Sequence, residues 1–203
     1  MDSGESTTGR TATTDGAALT LMMIAWSAGP ESTLAAMRDH TTLSEDSYRR
    51  EVLCLRAFTP YAAFHTNSTD STVQISLREA GDSFYRLLAS DSVQTASQRQ
   101  IARLNTFLNT MRADDPERYR LLAEIRLIAP ALSELQAHVD SYWTAYRWWA
   151  HSPEKNHVGA RFCAYCGSES EELQVAAENE FRSLSRAMNR YFERTSVRLP
   201  SEG

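Results

Sequence analysis

Leu132–Trp149, LSELQAHVDSYWTAYRWW, carries Leu132, Leu135, Val139, Tyr142, Tyr146 and Trp149 at alternating spacings of three and four residues. Side chains three and four apart lie on one face of an α-helix, so this spacing draws a continuous apolar seam. A seam of that width needs an apolar partner. Residues 169–195 supply one of the same period: Leu173, Ala177, Phe181, Leu184, Met188 and Tyr191. Matched seams joined by a modest connection predict an antiparallel pair, 131–150 against 169–195, at the centre of the molecule.

Upstream the same periodicity recurs. Ala17–Ala28 is nearly all apolar, which predicts a buried helix stopped by Gly29-Pro30. Residues 31–39 predict a short helix with Pro30 at its first turn. Ser44 can cap a helix over 44–58 that Pro60 ends, with Ser47 as a second cap. Val73, Leu77, Phe84 and Leu88 mark a helix over 73–89, with Gly81 inside it. Ile101, Leu104, Leu108 and Met111 mark another over 97–111. Asp114-Asp115-Pro116-Glu117 places negative charge at the positive end of a helix that runs to about Ala129. No strand-like alternation lasts more than a few residues. These elements predict an all-α, single-domain bundle of six or seven helices over 16–197. A polar, disordered tail over 1–15 and a short tail over 198–203 flank it.

Between the two seams lies HSPEKNHVGARFCAYC, residues 151–166. It holds His151, His157, Cys163 and Cys166, two of the chain's five histidines and two of its three cysteines. Imidazole and thiolate are the donors tetrahedral zinc prefers, and Cys-x-x-Cys is its usual half-site. The connection over 151–168 is longer than two adjacent helices need, and a metal would rigidify it. The expectation is a zinc-stapled loop with these four residues as structural ligands. The cysteines would lie just before the next helix, whose N-terminus favours thiolate. His138, about 20 Å along its helix from His151, is too far to join. Cys54, among apolar residues, belongs to the core.

Two other readings of the pair stand beside zinc: inert cysteines in a loop, and a redox-active dithiol. The AhpD-like peroxidase partners use Cys-x-x-Cys with a histidine four residues after the second cysteine, where this chain has Ser170. Flavin-linked sulfhydryl oxidases place a His-Asn-x-Val-Asn element after their pair, and no histidine follows Cys166 here. Both departures lower the redox case.

The composition is 42% hydrophobic and 23% charged over 203 residues, enough for a real core. A formal charge of -5 argues against a general nucleic-acid binder. Three cysteines cannot form a paired disulfide framework, and no apolar run is long enough to span a membrane. The expected setting is cytoplasmic or nuclear. No Gly-rich phosphate loop or Gly-x-Ser-x-Gly elbow is present. Glu169-Ser170-Glu171-Glu172 reads as helix capping and dipole complementarity.

Some features point to protein partners. Trp143 and Trp148 lie off the 132–149 seam, where large aromatics are either a second buried face or interface anchors. Asp2-Ser3-Gly4-Glu5-Ser6 resembles the Asp-Ser-Gly-x(n)-Ser phosphodegron read by β-propeller F-box receptors. That resemblance implies phosphorylation at Ser3 and Ser6. Residues 20–25, TLMMIA, resemble the first part of an elongin-binding box, with Gly29 where its next apolar residue would stand. Lys155 is the sole lysine among 21 basic residues. Base composition explains such a bias, and so does selection against ubiquitin acceptor sites. In outline the design is similar to small viral accessory proteins stapled by a His/Cys zinc site. The expected function is a non-enzymatic adaptor or regulator with structural zinc, for which a ubiquitin-ligase receptor is the candidate partner. A Cys-x-x-Cys thiol–disulfide oxidoreductase and a self-assembling structural protein are the alternatives.

Overall fold

The computed structural model describes residues 10–27, 33–89, 112–152 and 155–200, with isolated positions between 102 and 109. Ser3, Ser6 and most of the helix expected over 97–111 lie outside the described residues, as does the side chain of Trp149. Seven helices organise the rest: α1 (Thr14–Trp26), α2 (Glu45–Asn67), α3 (Ser71–Leu88), α4 (Pro116–Ile128), α5 (Leu132–His151), α6 (His157–Cys166) and α7 (Glu171–Arg194). The expectation of a predominantly helical chain is met. No helix among the described residues is long and apolar enough to cross a membrane.

The organising element is α2. From Val52 to Phe64 every residue is buried, so this helix has no solvent face over its middle. It packs against all six other helices. Phe58 stacks on Tyr142 of α5 (5.4 Å between ring centroids) and on Phe181 of α7 (5.9 Å). Thus the two seam helices face each other chiefly across α2, with Tyr146 reaching Phe181 at 6.0 Å. This corrects the expected central pair. A seam's spacing says that a helix needs an apolar partner, not which one, and α2 serves both. The α2–α7 contact also contains an ion pair, Arg56 Nε to Glu180 Oε1 at 2.7 Å, with both side chains about nine-tenths buried. Removing one partner of such a pair costs about 3–5 kcal/mol, because the other charge is left stranded.

Pro60 does not end α2. A proline inside a helix costs about 3 kcal/mol. The turn beyond it buries Tyr61, Ala62, Ala63 and Phe64, and each large side chain returns about 1.5–3 kcal/mol. Burial wins, and the helix continues to Asn67.

Helix starts follow local chemistry. Ser44 accepts from the Ser47 amide, Asp70 from those of Thr72 and Val73, and Ser170 from that of Leu173. Helix α6 is different, because Asn156 makes no side-chain cap. Glu178 of α7, 1% exposed, accepts instead from the amides of Val158 (3.0 Å) and Gly159 (2.9 Å). Arg182 backs the same carboxylate at 3.2 Å. Gly159 lets α6 come this close: a Cβ there would sit 2.0 Å from the Gln174 carbonyl oxygen. Gly167, at φ 59°, then turns the chain out of α6 in the left-handed conformation that glycine tolerates best.

Two further expectations change. Residues 31–39 contribute a 3-10 turn over Ala35–His40. The tails are also shorter than expected: strand β1 (Arg10–Thr13) pairs in parallel with β2 (Thr195–Arg198), Arg10 opposite Thr195 and Thr13 opposite Arg198. The pairing ties the segment before α1 to the segment after α7. Four-residue strands are too short for alternation to declare them.

Candidate functional site

The four residues expected to bind zinc are spread over two helices and a turn. His151 ends α5 and is exposed. His157 opens α6, and its Nε2 is buried with no hydrogen-bond partner. Cys163 and Cys166 occupy the last turn of α6, whose residues had been read as loop. That position also reverses the expected electrostatics, since a helix C-terminus disfavours thiolate. Burial pushes the Cys163 thiol up to about 11, and burial, Glu51 and Cys163 push Cys166 up further. The Cys163 Sγ–H points to the Ser170 carbonyl at 3.7 Å. All three cysteines of the chain are free thiols. No three of the expected ligand atoms come together within bonding range of one ion among the described residues.

A different set does converge. Glu51 and Cys54 on α2 and His138 on α5 bring their donor atoms within 4.8 Å of one another. Glu51 and Cys54 are three apart and share a helix face. His138 stands among Leu135, Val139 and Tyr142 on the buried seam and is 8% exposed. Its Nε2 lies 3.1 Å from Glu51 Oε2, its Nδ1 lies 3.0 Å from the Glu134 carbonyl, and its ring stacks on Tyr165 at 4.2 Å. The Glu51 hydrogen bond holds His138 above its ordinary pKa range, against the opposing effect of burial. Burial first, then Glu51 and Glu134, pushes the Cys54 thiol upward. Below them the Tyr142 hydroxyl is wholly buried and has no hydrogen-bond partner. Its charge neighbours are Cys54, Glu51, Cys166 and Tyr165. The sequence signal for this cluster was polar residues on apolar faces: His138 within the seam, and Glu51 one turn before a core cysteine.

A separate hollow, a groove of about 600 Å³, lies between α2 and α4 with Trp26 in its lining. Leu121, Ile125 and Ile128 line it from α4, and Arg49, Val52 and Arg56 from α2. Both sets run at helical spacing along one face. The groove's arginines are already paired: Arg38 with Asp39 (3.1 Å), Arg49 with Glu124 (3.8 Å) and Arg56 with Glu180. The Trp26 indole is 3% exposed, and its N–H has no acceptor.

The expected contact residues divide. Trp148 is 64% exposed. Trp143 is half-buried, edge-on to His65 (5.2 Å) and Phe58 (5.7 Å). With Tyr61, Phe64, Ile75 and Arg78 it lines a shallow hollow of about 160 Å³. The stretch resembling an elongin-binding box lies within α1, where Leu21, Met22 and Ala25 are fully buried and present no docking surface. Compared with known proteins, the chain matches no family model, no curated protein sequence and no solved structure.

Proposed function

We propose that this chain is a non-enzymatic adaptor or regulator whose docking site is the α2–α4 groove, and that its occupant is an amphipathic helix of another protein. The carrying observation is the groove of about 600 Å³ itself, walled by two rows of side chains at helical spacing with Trp26 in its lining. The groove has the size of a ligand site, and its lining mixes apolar side chains such as Val52, Leu121, Ile125 and Ile128 with charged ones such as Glu45, Arg49 and Glu124. Its charges favour polypeptide over phosphate. With Arg38, Arg49 and Arg56 each paired to a carboxylate, no guanidinium stands ready for a polyanion. Two parallel rows, 121-125-128 and 49-52-56, offer the seat that a third helix fills in helix-in-groove recognition.

The thiol–disulfide alternative has less support. Its nucleophile would have to be a thiolate, and both cysteines of the pair are buried with raised pKa values. Zinc remains part of the proposal, as developed below with a different ligand set.

The test is photo-crosslinking in cells producing the chain, with a benzophenone amino acid in place of Ile128. A discrete adduct with another protein is the expected result. Adducts only with a second copy, or only with this chain's own 97–111 segment, would overturn the reading.

A further inference from the structure

We propose that Glu51, Cys54 and His138 form a metal site, and that zinc is the ion their donors match. The starting point is the hydrogen bonding of His138. A main-chain carbonyl only accepts, so Nδ1, 3.0 Å from the Glu134 oxygen, carries the proton. The other nitrogen of a neutral imidazole is then a bare lone pair, and it points at Glu51 Oε2 from 3.1 Å. An ionised carboxylate is also only an acceptor. Two lone pairs at that distance require a cation between them, either a proton or a metal ion. The Nδ1–H to carbonyl contact is also the outer-shell arrangement that fixes metal-binding histidines in the required tautomer.

Cys54 makes the second case the better match. Its sulfur is fully buried and lies within 4.8 Å of both other donor atoms, so a third donor converges where a proton shared by two groups needs none. A metal ion would take all three donors at once, with the thiol proton displaced to solvent. One nitrogen, one sulfur and one oxygen form a borderline donor set that suits zinc and disfavours magnesium or calcium. Tetrahedral bonds of about 2.0–2.3 Å put ligand atoms about 3.3–3.6 Å apart, so the cluster needs only a small adjustment.

A second, independent observation is Tyr142. Its hydroxyl is buried without a hydrogen-bond partner among the described residues, one helical turn beyond His138 on α5. Such a group is rare in a finished core. A zinc-bound water, or the ion itself, would give it one. The site would join α2 to α5, two helices already packed together through Phe58 and Tyr142. It rests on none of the observations behind the groove.

The experiment uses the full chain, stripped with chelator and titrated with cobalt(II), then back-titrated with zinc. Expected are one equivalent per chain, tetrahedral visible bands, and a near-ultraviolet charge-transfer band of the intensity of one thiolate. Cys54→Ser should abolish the charge-transfer band. His138→Gln should weaken cobalt binding by more than about a hundredfold, beyond the ~10–100-fold that loss of an outer-shell group costs. Tyr142→Phe keeps the ring stacked on Phe58, so it tests the site without emptying the core, and should weaken binding about tenfold. Cys163→Ser with His157→Ala should leave the spectrum unchanged. A wild-type chain with no thiolate band would overturn the proposal. So would a two-thiolate band, or a band kept by Cys54→Ser and lost by Cys163→Ser.

Discussion

His138 shows how much one side chain can say once its neighbours are known. In sequence it is a lone histidine on an apolar seam, too far from His151 to share a metal with it. In the fold it sits opposite Glu51, and that contact raises its pKa in the folded, metal-free chain. The unfolded value is about 6.5. A group whose folded pKa is raised contributes stability that is fully present below the unfolded value. That stability is lost as pH rises through the folded value. Chelator-treated protein should therefore lose this increment as pH rises from about 6.5 through the higher folded value. An NMR titration of the His138 ring should give a midpoint above 6.5, and Glu51→Gln should bring it down. A His138 midpoint unmoved by Glu51→Gln would mean the two groups do not share a proton. No local reading could find the pair, since 87 residues separate its members.

At the scale of elements, periodicity and capping chemistry were legible and packing partners were not. Ser44 and Ser170 cap where their sequences say, and the seam of α5 is buried at Leu132, Leu135, Val139 and Tyr142. Two helices went differently, and each was decided by something remote in the chain. Helix α2 passes Pro60 because the turn beyond it has a core to enter. Helix α6 forms within an apparent loop because Glu178, about twenty residues on, caps it. The Cys-x-x-Cys pair then shares a helix turn and does not fold back on His151. Gly159 carries a prediction at this scale. An alanine at an ordinary helix position gains about 1 kcal/mol over glycine. Here the added methyl would meet a main-chain oxygen at 2.0 Å, and neither backbone can yield cheaply. Gly159→Ala should lower the melting temperature and cost more than about 2 kcal/mol by urea denaturation. A neutral or stabilising result would mean that α6 and α7 are not in register as described.

Across the whole molecule, one helix buried along its middle carries the architecture, and the outer helices differ in how completely they cover it. α5, α6 and α7 close one side with stacked aromatic rings and the Arg56–Glu180 pair. On the other side α4 leaves the groove open beside Trp26. The mostly helical character could be read from the sequence because every long segment has a helical period, whereas the short β1–β2 pairing could not. The groove could not, because residues far apart in the chain, Trp26, Ala35, Arg49 and Ile125 among them, line it together. That unequal covering is the basis for reading the chain as a protein that holds another. The most direct test is to repeat the Ile128 crosslinking with Trp26→Phe, measuring adduct yield and melting temperature together. The account predicts that yield falls sharply. The free chain should stay within about 1 kcal/mol of wild type, since the lost apolar area is offset by removing a buried donor that had no acceptor. An unchanged adduct yield from the Trp26→Phe chain would contradict it.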